Sequence, residues 1–123
     1  MRLVLAITWL ILLAFAMLTP GENFPEVDLF NFQDKVIHLA VFTVQAYLWC
    51  GIGVQQKDRS IRNPRVLLNF LFFGIVIGGI FEFAQLYIPN RSFDWMDLIV
   101  NAIGGILGLL VYLKWPSIKF VLD

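Results

Sequence analysis

Two short stretches of the chain carry most of the side chains able to bind or catalyse. One is Asp34-Lys35-Val36-Ile37-His38. The other begins Glu82-Phe83-Ala84-Gln85 and continues through Arg91, Asp94, Asp97 and Asn101. A histidine beside carboxylates can work as a base with its orienting partner, and the same groups can hold a divalent metal. Arg91, with Lys35, can hold phosphate or carboxylate. Glu82, Asp97 and Asn101 can accept from hydroxyl or ammonium groups. Each residue also has a plainer use. Asp34 and Asp94 suit helix N-caps, Lys35 can snorkel to headgroups, and Arg91 can pair with Asp94 across a turn. Glu82 is the hardest to explain away, because it lies inside an apolar run.

The elements that must position these groups are read from the surrounding composition. The chain has 123 residues, of which 59% are hydrophobic, with a mean hydropathy of +0.78 and a formal net charge of +0. A soluble domain this small could not bury so much apolar surface, so the expected solvent is lipid. Cys50 is the only cysteine, which excludes an intrachain disulfide and a cysteine zinc cluster. No Cys or Gly-x-Ser-x-Gly nucleophile motif is present. No cofactor and no nucleic-acid partner are expected, and whether the site takes a metal is left open.

Four apolar segments approach the ~20 residues of a spanning helix. They predict helices over about 3–19, 35–54, 66–88 and 95–115, in a single all-α transmembrane domain covering 1–123. Thr19-Pro20-Gly21, Pro89-Asn90 and Pro116 supply the stops. The first linker is acidic, with Glu22, Glu26, Asp28 and Asp34. The middle one carries Lys57, Arg59, Arg62 and Arg65; Arg2 precedes the first helix, and Lys114 and Lys119 close the last. Basic residues favour the cytoplasmic side. The expectation is therefore a four-helix polytopic bundle with both termini cytoplasmic. A competing reading makes the first segment a signal peptide, with Ala14-Phe15-Ala16 as its cleavage region.

In that topology the polar groups share the outer layer. Asp34 and His38 are i,i+4 neighbours on the second helix, and Gln45 continues their face. Glu82 sits about 9 Å below the outer end of the third helix at 1.5 Å per residue, with Gln85 nearer the surface. Asp94, Asp97 and Asn101 line the fourth. Gly74 and Gly78 precede Glu82 at four-residue steps, and Gly104 and Gly108 follow Asn101. Such small-residue faces let membrane helices approach closely. They predict that the third and fourth helices pack tightly beneath the polar layer. Asn69, Trp9, Trp49 and Trp115 are assigned to packing or interface anchoring.

Together these residues resemble the VanZ-like family, named for a teicoplanin resistance protein. The resemblance rests on Asp34-Lys35-x2-His38 and on the longer string Glu82-x2-Gln85-x3-Pro89-x-Arg91-x2-Asp94-x2-Asp97-x3-Asn101-x2-Gly104-x3-Gly108. Phe42 stands four residues after the histidine, where the family pattern often has tyrosine. The resemblance implies a bacterial inner-membrane protein of the cell envelope, linked in some relatives to glycopeptide tolerance. It implies no particular reaction.

The leading expectation is an outward polar pocket that binds an envelope lipid headgroup or a similar polar ligand. Its candidate residues are Asp34, Lys35, His38, Glu82, Gln85, Arg91, Asp94, Asp97 and Asn101. Membrane lipid and an envelope precursor or polar small molecule are the expected partners. The alternatives are a membrane-embedded enzyme using His38, Glu82 and Asp97, a transporter, and a purely structural membrane subunit.

Overall fold

A computed structural model describes residues 1–19, 33–89 and 91–116. The acidic-linker residues Glu22, Glu26 and Asp28, the turn residue Asn90 and Lys119 lie outside the described residues. Helix is the only regular structure among the described residues. Four long helices form it: α1 (Arg2–Leu18), α2 (Gln33–Cys50), α3 (Pro64–Tyr87) and α4 (Trp95–Lys114). Of these, α3 and α4 are long and apolar enough to cross a membrane. A short 3₁₀ turn, Gln56–Asp58, lies in the middle linker.

Local chemistry sets the ends. At α3, the Asn63 side chain accepts from the Arg65 N–H at 2.9 Å, and Pro64 fills the first turn, where its missing N–H costs nothing. At α4, the Asp94 side chain accepts from the Met96 N–H at 2.8 Å. Thr19, with φ −75° and ψ 136°, ends α1 in the extended conformation imposed on a residue before proline. The second helix stops at Cys50, short of the expected 54, as the chain turns at Gly51–Gly53. Gly53 takes φ +70°, a left-handed conformation that favours glycine.

The third helix is not uniform. Residues Phe70–Val76 widen into π-helix, and Gln85–Tyr87 tighten into a 3₁₀ turn. Gly74 lies in the widened stretch, and a Cβ there would press on Phe70 and on Ala46 of α2, at 3.1 and 3.3 Å. The interior of this helix is therefore fitted closely to its neighbours.

The expected glycine seam has a different partner. Most of the packing of α4 is against α2. A Cβ on Gly104 would come within 2.7 Å of the Leu39 carbonyl oxygen, and one on Gly108 would collide with the Thr43 carbonyl and lie 2.7 Å from Ala46. Both glycines thus seat α4 on α2, not on α3. Gly105 makes the close α3 contact, against the Gly74 backbone, while Gly78 faces Phe42 and Asn101.

The bundle buries polar groups and exposes apolar ones. Gln45 and Glu82 are 0% exposed, whereas Phe15 is 73%, Ile11 63% and Leu68 65% exposed. The apolar interior is small and centred on Phe42, Leu13, Met17 and Phe81 near the polar end, with Tyr112, Cys50 and Val66 at the other. The tryptophans divide: Trp49 is buried and stacks on Phe73 at 3.7 Å, Trp9 donates to the Val41 carbonyl at 3.1 Å, and Trp115 is exposed. Asn69 donates to the Ile52 carbonyl at 2.9 Å, tying α3 to the end of α2.

Candidate functional site

The start of α2 and the start of α4 meet through charge. The Lys35 ammonium reaches Asp94 at 2.8 Å, bonds Asp97, and lies 3.9 Å from Asp34. It therefore points into a carboxylate cluster instead of snorkelling outward. The ammonium, with the Met96 N–H, holds the Asp94 carboxyl below the usual carboxylate range.

One turn deeper, His38 is 6% exposed. Its Nδ1 donates to Asn101 Oδ1 at 2.8 Å. Its Nε2 lies 3.6 Å from Asp34 and 4.0 Å from Asp97. The group that orients the imidazole is therefore Asn101. Glu82 is buried on α3 and accepts from the Asp94 backbone N–H through Oε1 at 3.2 Å. Among the described residues its second oxygen has no hydrogen-bond partner, nor has the Asn101 amide nitrogen.

Gln85 and Arg91 turn toward α1. Gln85 donates to the Met17 carbonyl at 3.0 Å. The Arg91 guanidinium donates to the Thr19 and Ala16 carbonyls, each at 3.1 Å. Those carbonyls belong to the last turn of α1, which favours cations. The segment considered as a signal peptide is thus packed into the bundle, with Ala6 fully buried against α2. Asp94, which the sequence offered as Arg91's partner, takes the Lys35 ammonium as its cation.

A cleft of about 210 Å³ opens over this cluster, lined by Asp34, His38, Gln85, Arg91, Ser92, Asp94 and Asp97. Ser92 lines the cleft although the sequence marks it only by its place beside Arg91 in the turn. Lys35, Glu82 and Asn101 stand behind the lining. Gln45 lies deeper, 3.5 Å from the Phe73 carbonyl, and belongs to the α2–α3 contact. The arrangement offers acceptors for hydroxyl or ammonium groups, one oriented imidazole, and a guanidinium on the wall facing α1.

The fold and the cleft define a small helical protein with a charged cleft built at one end from α2, α3, the α3–α4 turn and α4. The chain belongs to the VanZ/LLP1 family, whose profile matches residues 3–119. No curated protein matches the chain, and no solved structure matches it.

Proposed function

We propose that this VanZ-like protein spans the bacterial cytoplasmic membrane four times, with both termini cytoplasmic, and that its outward cleft binds the polar headgroup of an envelope lipid. The observation that carries the reading is the cleft itself: about 210 Å³, lined almost wholly by polar and charged groups. It sits on a bundle whose outer sides expose Ile11, Phe15, Leu68 and Phe72. Apolar flanks on this scale suit lipid, and the basic 57–65 linker suits the cytoplasmic side. Hydroxyl or ammonium groups of a headgroup would donate to Asp34 and Asp97, and a phosphate would lie toward Arg91. A precursor headgroup held there would be withheld from an antibiotic that binds it, which gives a route to teicoplanin tolerance.

The test is lipid retention. The protein is extracted in mild detergent and its bound lipid identified by native mass spectrometry. A stoichiometric lipid that is lost in Asp97→Asn supports the reading; equal, unselective lipid on both proteins contradicts it. Orientation is checked separately in a Cys50→Ala background. Ser60→Cys should label only after permeabilisation, and Asn23→Cys should label in intact cells. The reverse pattern would turn the cleft inward.

A further inference from the structure

We propose that Asp34, His38 and Asp97 form a divalent-cation site of the Zn²⁺ or Mn²⁺ class within the cleft. The proposal rests on the cleft being the binding site and names a component that the headgroup reading does not require.

The first argument is the imidazole. An amide oxygen only accepts, so the 2.8 Å contact to Asn101 Oδ1 fixes the proton on His38 Nδ1. In the neutral ring, Nε2 then offers its lone pair to the cleft. Metal-binding histidines are commonly oriented in this way, by a hydrogen bond from the other ring nitrogen.

The second is spacing. Nε2 lies 3.6 Å from Asp34 Oδ1 and 4.0 Å from Asp97 Oδ2. Those separations are too long for hydrogen bonds. They suit ligands that share an ion, since two atoms each about 2.1 Å from a metal lie roughly 3–4 Å apart. One atom from each of the three residues falls within 4.8 Å of the others. Asp34, whose side chain is 66% exposed, can swing to close the remainder. One imidazole nitrogen with two carboxylates favours Zn²⁺ or Mn²⁺ over the all-oxygen preference of Ca²⁺ and Mg²⁺.

The third is charge. Asp34, Asp94 and Asp97 surround one ammonium. Asp34 and Asp97 each turn one oxygen to Lys35 and the other toward Nε2. The three carboxylates outnumber that ammonium by two, which matches one divalent ion.

An independent observation points the same way. Glu82 is 0% exposed, and its Oε2 has no hydrogen-bond partner among the described residues. It lies within electrostatic reach of His38 and Asp97. An orphaned buried carboxylate oxygen is costly, and a cation held by its neighbours would offset that cost.

The experiment uses full-length protein in detergent, purified without a polyhistidine tag and stripped with a chelator. Zn²⁺ and Mn²⁺ are titrated by calorimetry. Wild type should bind one ion per chain. Asn101→Ala should weaken binding about 10–100-fold through loss of the imidazole's orienting partner. Asp34→Asn, at a side chain 66% exposed, should leave the fold intact and weaken binding at least about 10-fold. Lys35→Gln should tighten it by removing the competing ammonium from Asp97.

His38 is the only histidine in the chain. Bound Cu²⁺ should therefore show nitrogen superhyperfine coupling that His38→Gln removes. No binding by wild type, or unchanged binding in both Asp34→Asn and Asn101→Ala, would overturn the proposal. Lipid retention without ion binding would remove the cation site and leave the headgroup reading. Ion binding without any selective lipid would do the reverse.

Discussion

Each end of the bundle holds a cation, Arg2 buried at one and Lys35 partly exposed at the other. At one end the Arg2 guanidinium, 8% exposed, donates to the Tyr47 carbonyl at 2.8 Å, the Leu48 carbonyl at 3.2 Å and the Pro116 carbonyl. It also lies over the Tyr47 and Tyr112 rings, at 5.2 and 5.3 Å. The partners are neutral, and they join the start of α1 to the ends of α2 and α4. A cation there also suits the C-terminus of α2. At the other end, Lys35 sits among Asp34, Asp94 and Asp97, with a half-partnered Glu82 behind them. The first arrangement ties three helices together and serves packing. The second has a surplus of negative charge and a polar cleft above it. A cation held by neutral carbonyls and a cation outnumbered by carboxylates thus mark a clasp and a candidate site on the same scaffold.

The comparison breaks most completely if both ends fail together. Gly108→Leu should do this, because its Cβ would collide with the Thr43 backbone and force α4 off α2, the pair that carries both clusters. Overpacking against backbone should cost more than about 3 kcal/mol. The measurement is detergent-extracted thermal stability, together with an engineered α2–α4 crosslink that should form poorly. An unchanged crosslink would show that the seam lies elsewhere.

Arg2→Ala should be the next largest. Loss of charged hydrogen bonds should cost roughly 2–4 kcal/mol of stability. Lipid retention by the protein that still folds should not change. A selective loss of lipid at normal stability would erase the distinction between the ends.

Glu82→Gln should give the opposite profile. The shape is kept and a poorly partnered charge removed, so stability should change by less than about 1 kcal/mol, while lipid retention falls. Full retention in Glu82→Gln, with poor accumulation of Glu82→Ala, would reassign the cluster to packing.

The smallest effect concerns acid. The Lys35 ammonium holds the Asp94 carboxyl below its unfolded value. Its contribution is therefore present above the ordinary carboxylate pKa of about 3.9 and lost as pH falls through the lower folded value. Asp94→Asn should flatten this acid limb in a stability-against-pH series. A limb that persists unchanged would assign it to other carboxylates.

Much of the polar end was legible in the sequence. Asp34, Lys35 and His38 follow helical spacing, as do Asp94, Asp97 and Asn101, and charge in an apolar chain is conspicuous. The partners were less legible. Four-residue glycine steps reveal a small face but not which helix covers it, so the pattern points Gly104 and Gly108 of α4 to α3, whereas they pack against α2. Arg2 read as a topology marker, because nothing local shows that its guanidinium turns inward to distant carbonyls. Arg91 read as a ligand for anions or for Asp94; its bonds to Ala16 and Thr19 depend on how α1 docks. The π-helical stretch at Phe70–Val76 likewise follows from tertiary fit and leaves no distinct local pattern.

The central claim is that the charged end binds a ligand and the Arg2 end does not. Native mass spectrometry of the protein extracted from cells in mild detergent, comparing wild type, Asp97→Asn and Arg2→Lys, tests it most directly. The account predicts one selective polar lipid on wild type and on Arg2→Lys, and its loss from Asp97→Asn. The same lipid at the same occupancy on all three proteins would contradict it.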